Sequence, residues 1–558
     1  MIPARRTDAP AHWLLDLILG GRVYRLADTD LEIFSSSGDV FEYMAGLPDL
    51  SITIGADGMD ATAIEIGPWR SDSWTELVQL GADLGAGTAL LRRWYEGTVI
   101  ELAEPFAEGQ ILEPEYETAD DPIAFSIDLP RYDRTATVPA RTERIDQTTW
   151  PVTTSPFILA PDPSMLGAVY PRVYGRPGRD ASFVWGTIPI TASATPAYMG
   201  EVGTSALTYY DGKLIIAGHP VEAPEVRVIK TSAGFDRAIQ NAQNFVVEVG
   251  ADLRGQVVSF VRRSGYVGAN ASMVWDPGAT WHVAWSQGGG VIDPETGEAL
   301  RRLGQVVIDL LVTAGVPVAR GRAEAARAQL DRYLVDAAIC EPVQPEDWIS
   351  DQVGSLIPLL RRETPEGVWF EAWRYDATAE DAIAELVGDP PDRATVDGYP
   401  VEQVSPFRYT DARSVENDLI LRYLRSQDDY MRTVRLRGDV VDAADAANGE
   451  YGSLLAALSQ QRYGMRQAEV TADWIADDGT AVAAIQARLA QTALPRRQLT
   501  VRGGPELAWL EPNDVVAYTR TECGLERMPA LVLAVTLGLL ETELTIELLE
   551  RPSQRGRP

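Results

Sequence analysis

The sequence predicts an α+β protein, mainly β and multidomain. Three observations carry that expectation. The chain has 558 residues, and a length of this order suits about three to five domains. Its apolar residues mostly alternate at period two in short runs bounded by Gly, Pro, Asn and Asp, the pattern of half-buried strands. Helical spacing is confined to a few stretches. A hydrophobic content of 45% supplies several cores.

Residues 13–27 read as a hairpin. Leu15, Leu17 and Leu19 alternate, Gly20-Gly21 supplies a positive-φ turn, and Val23–Leu26 returns. Strands follow at Leu31–Phe34 and Ser51–Ile54, then a short helix over Trp74–Leu84 carrying Leu77, Leu80 and Leu84. Strands resume at Ala89–Tyr95 and Thr98–Leu102. An acidic segment, Glu101–Asp121, precedes a strand at Ile123–Leu129. Residues 131–160, rich in Thr, Pro and Arg, read as a linker-like shift. A second β-rich region holds "YPRVYGRPG" at 170–178, a hairpin around Asp211-Gly212 and a strand at Asn244–Val249.

From about 266 the character changes to α+β. Leu303, Val306, Val307, Leu310 and Leu311 share one helical face. Gly315 and Pro317 end that helix as a C′ glycine and a following proline do. Further helices are expected at Ala323–Leu334 and 345–360, the latter with Pro345 in its first turn, then a strand at 367–376. Residues 386–412 are rich in Pro, Asp and Arg. Leu419, Leu421 and Tyr423 alternate as a strand, and 440–462 reads as helical or irregular. Asp477–Thr480 caps a helix with Val482, Ile485 and Leu489 on its face, stopped by Pro495. Strands at 498–502, 515–519, 530–537 and 542–549 close the chain. Between the last helix and these strands lies "LAWLEPNDVVAYT". Its Pro512-Asn513-Asp514 corner feeds straight into Val515-Val516. The four segments expected are 1–130, 131–265, 266–390 and 391–558.

The net charge is −32, and residues 1–130 hold 24 Asp and Glu against 7 Arg. So acidic a chain repels phosphates and does not grip nucleic acid non-specifically. The alternative reading of the charge is solubility alone. Arg5-Arg6 and the apolar run from Trp13 resemble a short signal peptide, but Asp16 and Gly20-Gly21 interrupt it, so a strand is preferred. No apolar run approaches ~18 residues, so no stable membrane insertion is expected, and synthesis and folding are expected in a cytoplasm.

The sequence carries no recognisable catalytic constellation. His12, His219 and His282 share no i, i+4 spacing and each reads more simply as a packed side chain. Cys340 and Cys523 are too few for a cysteine metal cage or a disulfide framework, and each reads as a buried small hydrophobe. "SQGGGVIDPETG" lacks the lysine and spacing of a phosphate loop. No serine has the flanking glycines of a nucleophile elbow. Trp369 and Trp373 share a side of one strand, as a sugar platform would, but core packing explains them better. No catalytic residue, cofactor or metal is assigned.

Several quoted segments, taken in order, resemble the baseplate or tail-tip hub proteins of tailed bacteriophages and of gene transfer agents. They are "WLLDLILGGRVYRLADTD", "WYEGTVIELAEPFAEGQILEPEYETADDPIAFSIDL", "YPRVYGRPG", "VENDLILRY" and the C-terminal "QRYGMR…WIADDGTAVAAIQARLA…PRRQLTVRGGPELAWLEPNDVVAYT". The last is similar to a Leu-x-Pro-Gly-Asp-Val-Val turn pattern, with Asn513 where glycine is usual. Asn tolerates left-handed φ, so the turn survives. The resemblance implies two tail-tube-like β-barrel or sandwich domains, at 1–130 and 391–558. Between them it implies a β-rich second hub domain and a small α+β domain. "VENDLILRY" stands where the later tube-like domain starts.

The resemblance also implies a homotrimer whose two tube-like domains per chain form a pseudo-hexameric ring, adapting a six-fold tail tube to a three-fold tip. Implied neighbours are a distal tail protein or tail-tube ring, the tape-measure protein's C-terminus, and tail-tip or fibre proteins. Genomic DNA is met only in transit. The location implied is the distal end of a phage tail in the virion, after assembly in the host cytoplasm. Glu101, Glu104, Glu108, Glu113 and Glu115 are the candidate acidic lining of the channel. A tail-associated cell-wall or polysaccharide hydrolase and a carbohydrate-binding receptor protein are the competing readings.

Overall fold

The computed structural model describes residues 11–47, 87–115, 135–142, 167–176, 213–221, 290–293, 296–388, 398–425, 430–439, 442–538 and 541–550, together with further strands and short stretches between 52 and 285. Strand dominates, as the alternation predicts, and the described strands form several sheets.

The opening hairpin forms as expected. Ala11–Leu19 pairs antiparallel with Arg22–Ala27, Leu17 facing Tyr24. Gly20 and Gly21 have φ of 56° and 81°, so both turn positions are left-handed, where a side chain would strain the backbone. The hairpin sits inside an eight-stranded sheet. On one side come Val40–Ala45 and Leu31–Phe34; on the other, Thr88–Tyr95, Glu104–Glu115, Ile123–Asp128 and Ile64–Ile66. The strand expected at Thr98–Leu102 is instead a turn: Gly97 has φ of 80°, and Ile100–Leu102 is a single 3-10 turn. Trp94 Nε1–H donates to the Thr98 carbonyl at 3.0 Å and holds the bend. The expected helix at 74–84 lies outside the described residues.

The C-terminal sheet closes on itself. Arg497–Gly503 pairs with Tyr399–Gln403, which pairs with Ala384–Gly388, which pairs with Val515–Arg520. Leu525–Leu537 and Thr542–Leu548 follow, and the last pairs back onto Arg497–Gly503. This ring of six strands is a barrel whose members have no open edge where the ladder runs. Leu386, Val401, Leu499, Val516, Val532 and Ile546 point into it and are fully or almost fully buried. Burying each such side chain is worth about 1.5–3 kcal/mol. "LAWL" seals the same core through Leu507 and Leu510.

One core joins this barrel to the N-terminal sheet. Leu15, Leu17, Leu19, Leu91, Ile111 and Phe125 pack into the cluster that contains the barrel interior. Arg93, only 5% exposed, reaches across the seam and donates to the Ala508 carbonyl. Further along, Ile52–Gly55 pairs with the end of Leu525–Leu537, Ile54 facing Val535.

A second core gathers Leu303–Thr313, Gly367–Ala372, a four-stranded sheet and the helix Asp478–Thr492. The sheet runs Glu450–Gly452, Tyr430–Arg437, Asp418–Arg425, Gln467–Ala472. The strand in "VENDLILRY" therefore does not start the barrel. It pairs with Tyr430–Arg437 and Gln467–Ala472, and Leu419, Leu421 and Tyr423 pack under helix Asp478–Thr492. Alternation identifies the strand and its buried face, but a period of two says nothing about which sheet the strand joins.

Asp477 caps that helix, accepting from the Thr480 N–H at 3.0 Å. Gly315, at φ 76°, ends Leu303–Thr313 as expected. The helix expected over 345–360 ends at Val353, and Leu359–Thr364 is a strand paired with Gly367–Ala372. Pro358 accounts for the break, because a residue before proline is pushed out of the helical region.

Residues 159–285 contribute two antiparallel sheets of five and four strands. The expected strand near 244–249 is Phe245–Ala251. The Asp211-Gly212 turn lies outside the described residues.

Candidate functional site

The corner at Glu511–Asp514 forms with Asn513 at φ 75°, the left-handed value its sequence predicts. Its main chain ties into the barrel: Asn513 N–H donates to the Val532 carbonyl at 2.8 Å, and Val532 N–H donates to the Asp514 carbonyl at 2.9 Å. Asp514 accepts from the Glu511 N–H at 2.7 Å.

Asn513 is not a solvent-facing corner. It is 4% exposed and plugged into the hairpin Leu359–Thr364/Gly367–Ala372. Its Oδ1 accepts from the Arg374 N–H at 3.0 Å, and its Nδ2 donates to the Ala372 carbonyl at 2.9 Å and to Glu371 Oε2 at 3.2 Å. Arg362, 5% exposed, donates to the Pro512 carbonyl at 3.0 Å and approaches Glu511 at 3.4 Å. Arg322 meets Glu511 at 3.3 Å, and both arginines lie over the Trp369 ring. Trp369 Nε1–H donates to Glu371 at 2.6 Å. A glycine at 513 could make the corner but none of these side-chain bonds. Burial raises the Asp514 carboxyl to about 7; the hydrogen bond from the Glu511 N–H opposes the rise, the Glu511 and Glu371 carboxylates add to it, and Arg362 opposes it.

Sequence reasoning found Pro512, Asn513 and Asp514 but missed Arg322, Arg362 and Glu371, which lie about 140 to 190 residues away. The one available signal was an Asn standing where a glycine would suffice.

"YPRVYG" makes a second joint. Arg172–Tyr174 pairs with Ala337–Ile339. Arg172 and the Tyr174 hydroxyl both donate to Asp309, the hydroxyl at 2.6 Å. Gly175 (φ 61°) has no room for a side chain: a Cβ there would lie 1.9 Å from the Val335 carbonyl oxygen. His219 accepts from the Val173 N–H at 3.0 Å, and its other ring nitrogen meets the Pro220 carbonyl at 2.9 Å. Burial lowers its pKa to about 4, so it is a neutral packed side chain, as expected.

His12 lies between Asp28 at 3.0 Å and Glu96 at 3.3 Å, and the hydrogen bond to Asp28 chiefly raises its pKa. The side chain of His282 lies outside the described residues. Trp369 is buried, in keeping with core packing, and Trp373 packs beside Tyr375 with ring centroids 6.1 Å apart. Cys340 is half-buried, but Cys523 is exposed, contrary to expectation. It falls in the one-turn segment Thr521–Cys523, whose following Gly524 reverses the chain at φ 66°.

The candidate acidic residues separate. Glu101 accepts from Ser36 N–H and Oγ–H, and its own backbone amide, then Ser36, holds its carboxyl below the usual range. Register shifts between the pairs Leu91–Ala107 and Arg92–Pro105, leaving Phe106 as a bulge. Glu104 consequently pairs opposite Arg93, on the barrel side, whereas exposed Glu108 pairs opposite Leu90, on the other face. The side chains of Glu113 and Glu115 lie outside the described residues. Among the described residues no group of three or more His, Cys, Asp or Glu is arranged to hold a metal ion.

No protein-family model matches the chain, and no curated protein matches it. Solved structures do. Three of them are tail or virion proteins. A 43 kDa tail protein of prophage MuSo2 from Shewanella oneidensis is 9% identical, with 97% of this chain and 99% of that one covered and a TM-score of 0.34. A chain of the native gene transfer agent virion is 12% identical over 76% and 92%, TM-score 0.36. A tail protein of Neisseria meningitidis MC58 is 12% identical over 58% and 91%, TM-score 0.24.

Proposed function

We propose that this chain is a structural virion protein, the central hub of a phage tail tip or baseplate. Three copies form a ring that adapts the six-fold tail tube to a three-fold tip and surrounds the DNA channel. One observation carries the reading: a β-sheet unit from the N-terminus and a closed barrel from the C-terminus share a single apolar core. A chain that contributes two fused β units turns three copies into six positions. The fixed angle such a ring needs is supplied by that core, together with Arg93 and the strand Ile52–Gly55 that bridge the two units.

In this reading the joints at Asn513 and at Tyr174–Gly175 are geometric parts, not reaction centres, and the chain has no catalytic role. Glu108 faces away from the barrel and is the described candidate for the bore, while Glu104 belongs to the seam. Carboxylates on the bore repel phosphates over a screening length of about 8 Å at physiological salt. The distal tail protein or tube ring, the tape-measure C-terminus and the tip or fibre proteins are the proposed neighbours. Deleting the gene and imaging particles by electron microscopy tests the role. The expected result is tails lacking a complete distal end; intact, sealed tips would overturn it.

A further inference from the structure

The Glu511–Asp514 corner gathers more charge than a barrel turn needs. Asp514 lies in the turn with Glu511; the carboxylate of Glu371, on the strand Gly367–Ala372, adds to the cost of its charge, and the guanidinium of Arg362, on Leu359–Thr364, offsets it. Arg322, from the helix Arg320–Leu330, pairs with Glu511 at 3.3 Å and lies over the Trp369 ring, whose Nε1–H bonds Glu371. Around Asp514 there are thus two carboxylates and one close guanidinium. Asn513, in the same turn, makes the bonds that fasten the hairpin to the barrel.

We propose that this corner is a proton-controlled latch: uptake of one proton among the clustered carboxylates tightens the docking of the 359–374 hairpin on the barrel, and its loss loosens it. Two facts of geometry support the latch. Asp514 is held in the turn itself, through the Glu511 N–H, so the cost of its buried charge, and the repulsion added to it, bears on the loop that positions Asn513 even though that bond favours the carboxylate. The repelling partner Glu371 is the same residue that accepts from Asn513 Nδ2 at 3.2 Å, so charge repulsion and fastening act on one contact. The raised Asp514 carboxyl, about 7, puts the change near neutrality. An open hairpin exposes Asp514 to water, where its pKa returns toward 3.8, so proton release favours opening. The latch is a property of this joint and does not depend on the assembly the chain enters.

Hydrogen–deuterium exchange on the full chain, corrected for the intrinsic pH dependence of exchange, tests it. From about pH 6 to about pH 8.5, protection of residues 359–374 is expected to fall about tenfold. Protection of the barrel strand Thr542–Leu548 should stay constant. Asp514→Asn should keep the hairpin protected at both pH values. A flat wild-type profile, or a D514N profile as steep as wild type, would overturn the proposal. If D514N does not fold, the wild-type profile decides alone: a fall confined to 359–374 supports the latch, and a flat or uniform response ends it.

Discussion

Replacing Asn513 by glycine separates the two roles of this residue. The corner needs left-handed φ, 75° in this chain, and glycine adopts it more readily than asparagine, a gain of up to about 1 kcal/mol. The joint needs the side chain. Without it, the Arg374 N–H and the Ala372 carbonyl, bonded at 3.0 and 2.9 Å, lose their partners, and Glu371 loses a donor. Ala372 is 3% exposed, so water replaces little. A buried main-chain group left unpaired costs about 1–3 kcal/mol. Two such groups, less the gain in φ, leave a net loss of about 1–5 kcal/mol. Asn513→Ala should lose about 1 kcal/mol more, because it keeps the strain. A chain of several units has no single unfolding free energy, so the assay is exchange of the Arg374 amide together with the first transition in a urea titration. An N513G protein as stable as wild type, with Arg374 still protected, would refute the claim that this turn fastens two units.

Other outcomes follow from the same contacts. Gly175→Ala should cost more than about 4 kcal/mol or prevent folding of the second core, since its Cβ would lie 1.9 Å from the Val335 carbonyl oxygen; circular dichroism and expression yield report this. His219 has a folded pKa of about 4 against an unfolded 6.5. Its contribution is therefore present above pH 6.5 and lost as pH falls toward about 4, up to about 3 kcal/mol. His219→Gln, which still accepts from the Val173 N–H, should flatten that acid limb in a melting series. Glu108→Arg should leave folding unchanged but slow DNA delivery by assembled particles, an effect that shrinks as salt rises; Glu104→Gln, on the barrel side, should not.

Local features were legible because they are written locally. Gly20-Gly21 specified a hairpin, Asp477 a helix start, Gly315 a helix end, and Asn513 a left-handed corner, each through its own backbone preference. Partners were less so. Ala384–Gly388 and Tyr399–Gln403 are short, pair in parallel and complete the barrel with strands more than 90 residues on. In a stretch rich in Pro, Asp and Arg they left no alternation to read. Asp418–Arg425 alternates clearly, yet two sheets compete for such a strand and its pattern fits either. Residues 354–360 looked helical by composition until Pro358 split them. The Asn513 joint was half visible: its backbone was, but Arg362 and Glu371 become its neighbours only through tertiary packing.

The central claim is that the N-terminal sheet and the C-terminal barrel are two rigidly joined β units occupying adjacent positions of one ring. A cryo-electron microscopy map of assembled particles, at a resolution that separates strands, tests it most directly. The account predicts three copies of this chain around the axis, the two units alternating to make six positions, with the core at Leu15, Leu386 and Ile546 intact between them. A map in which only one of the two units enters the ring, or in which the copies number other than three, would contradict it.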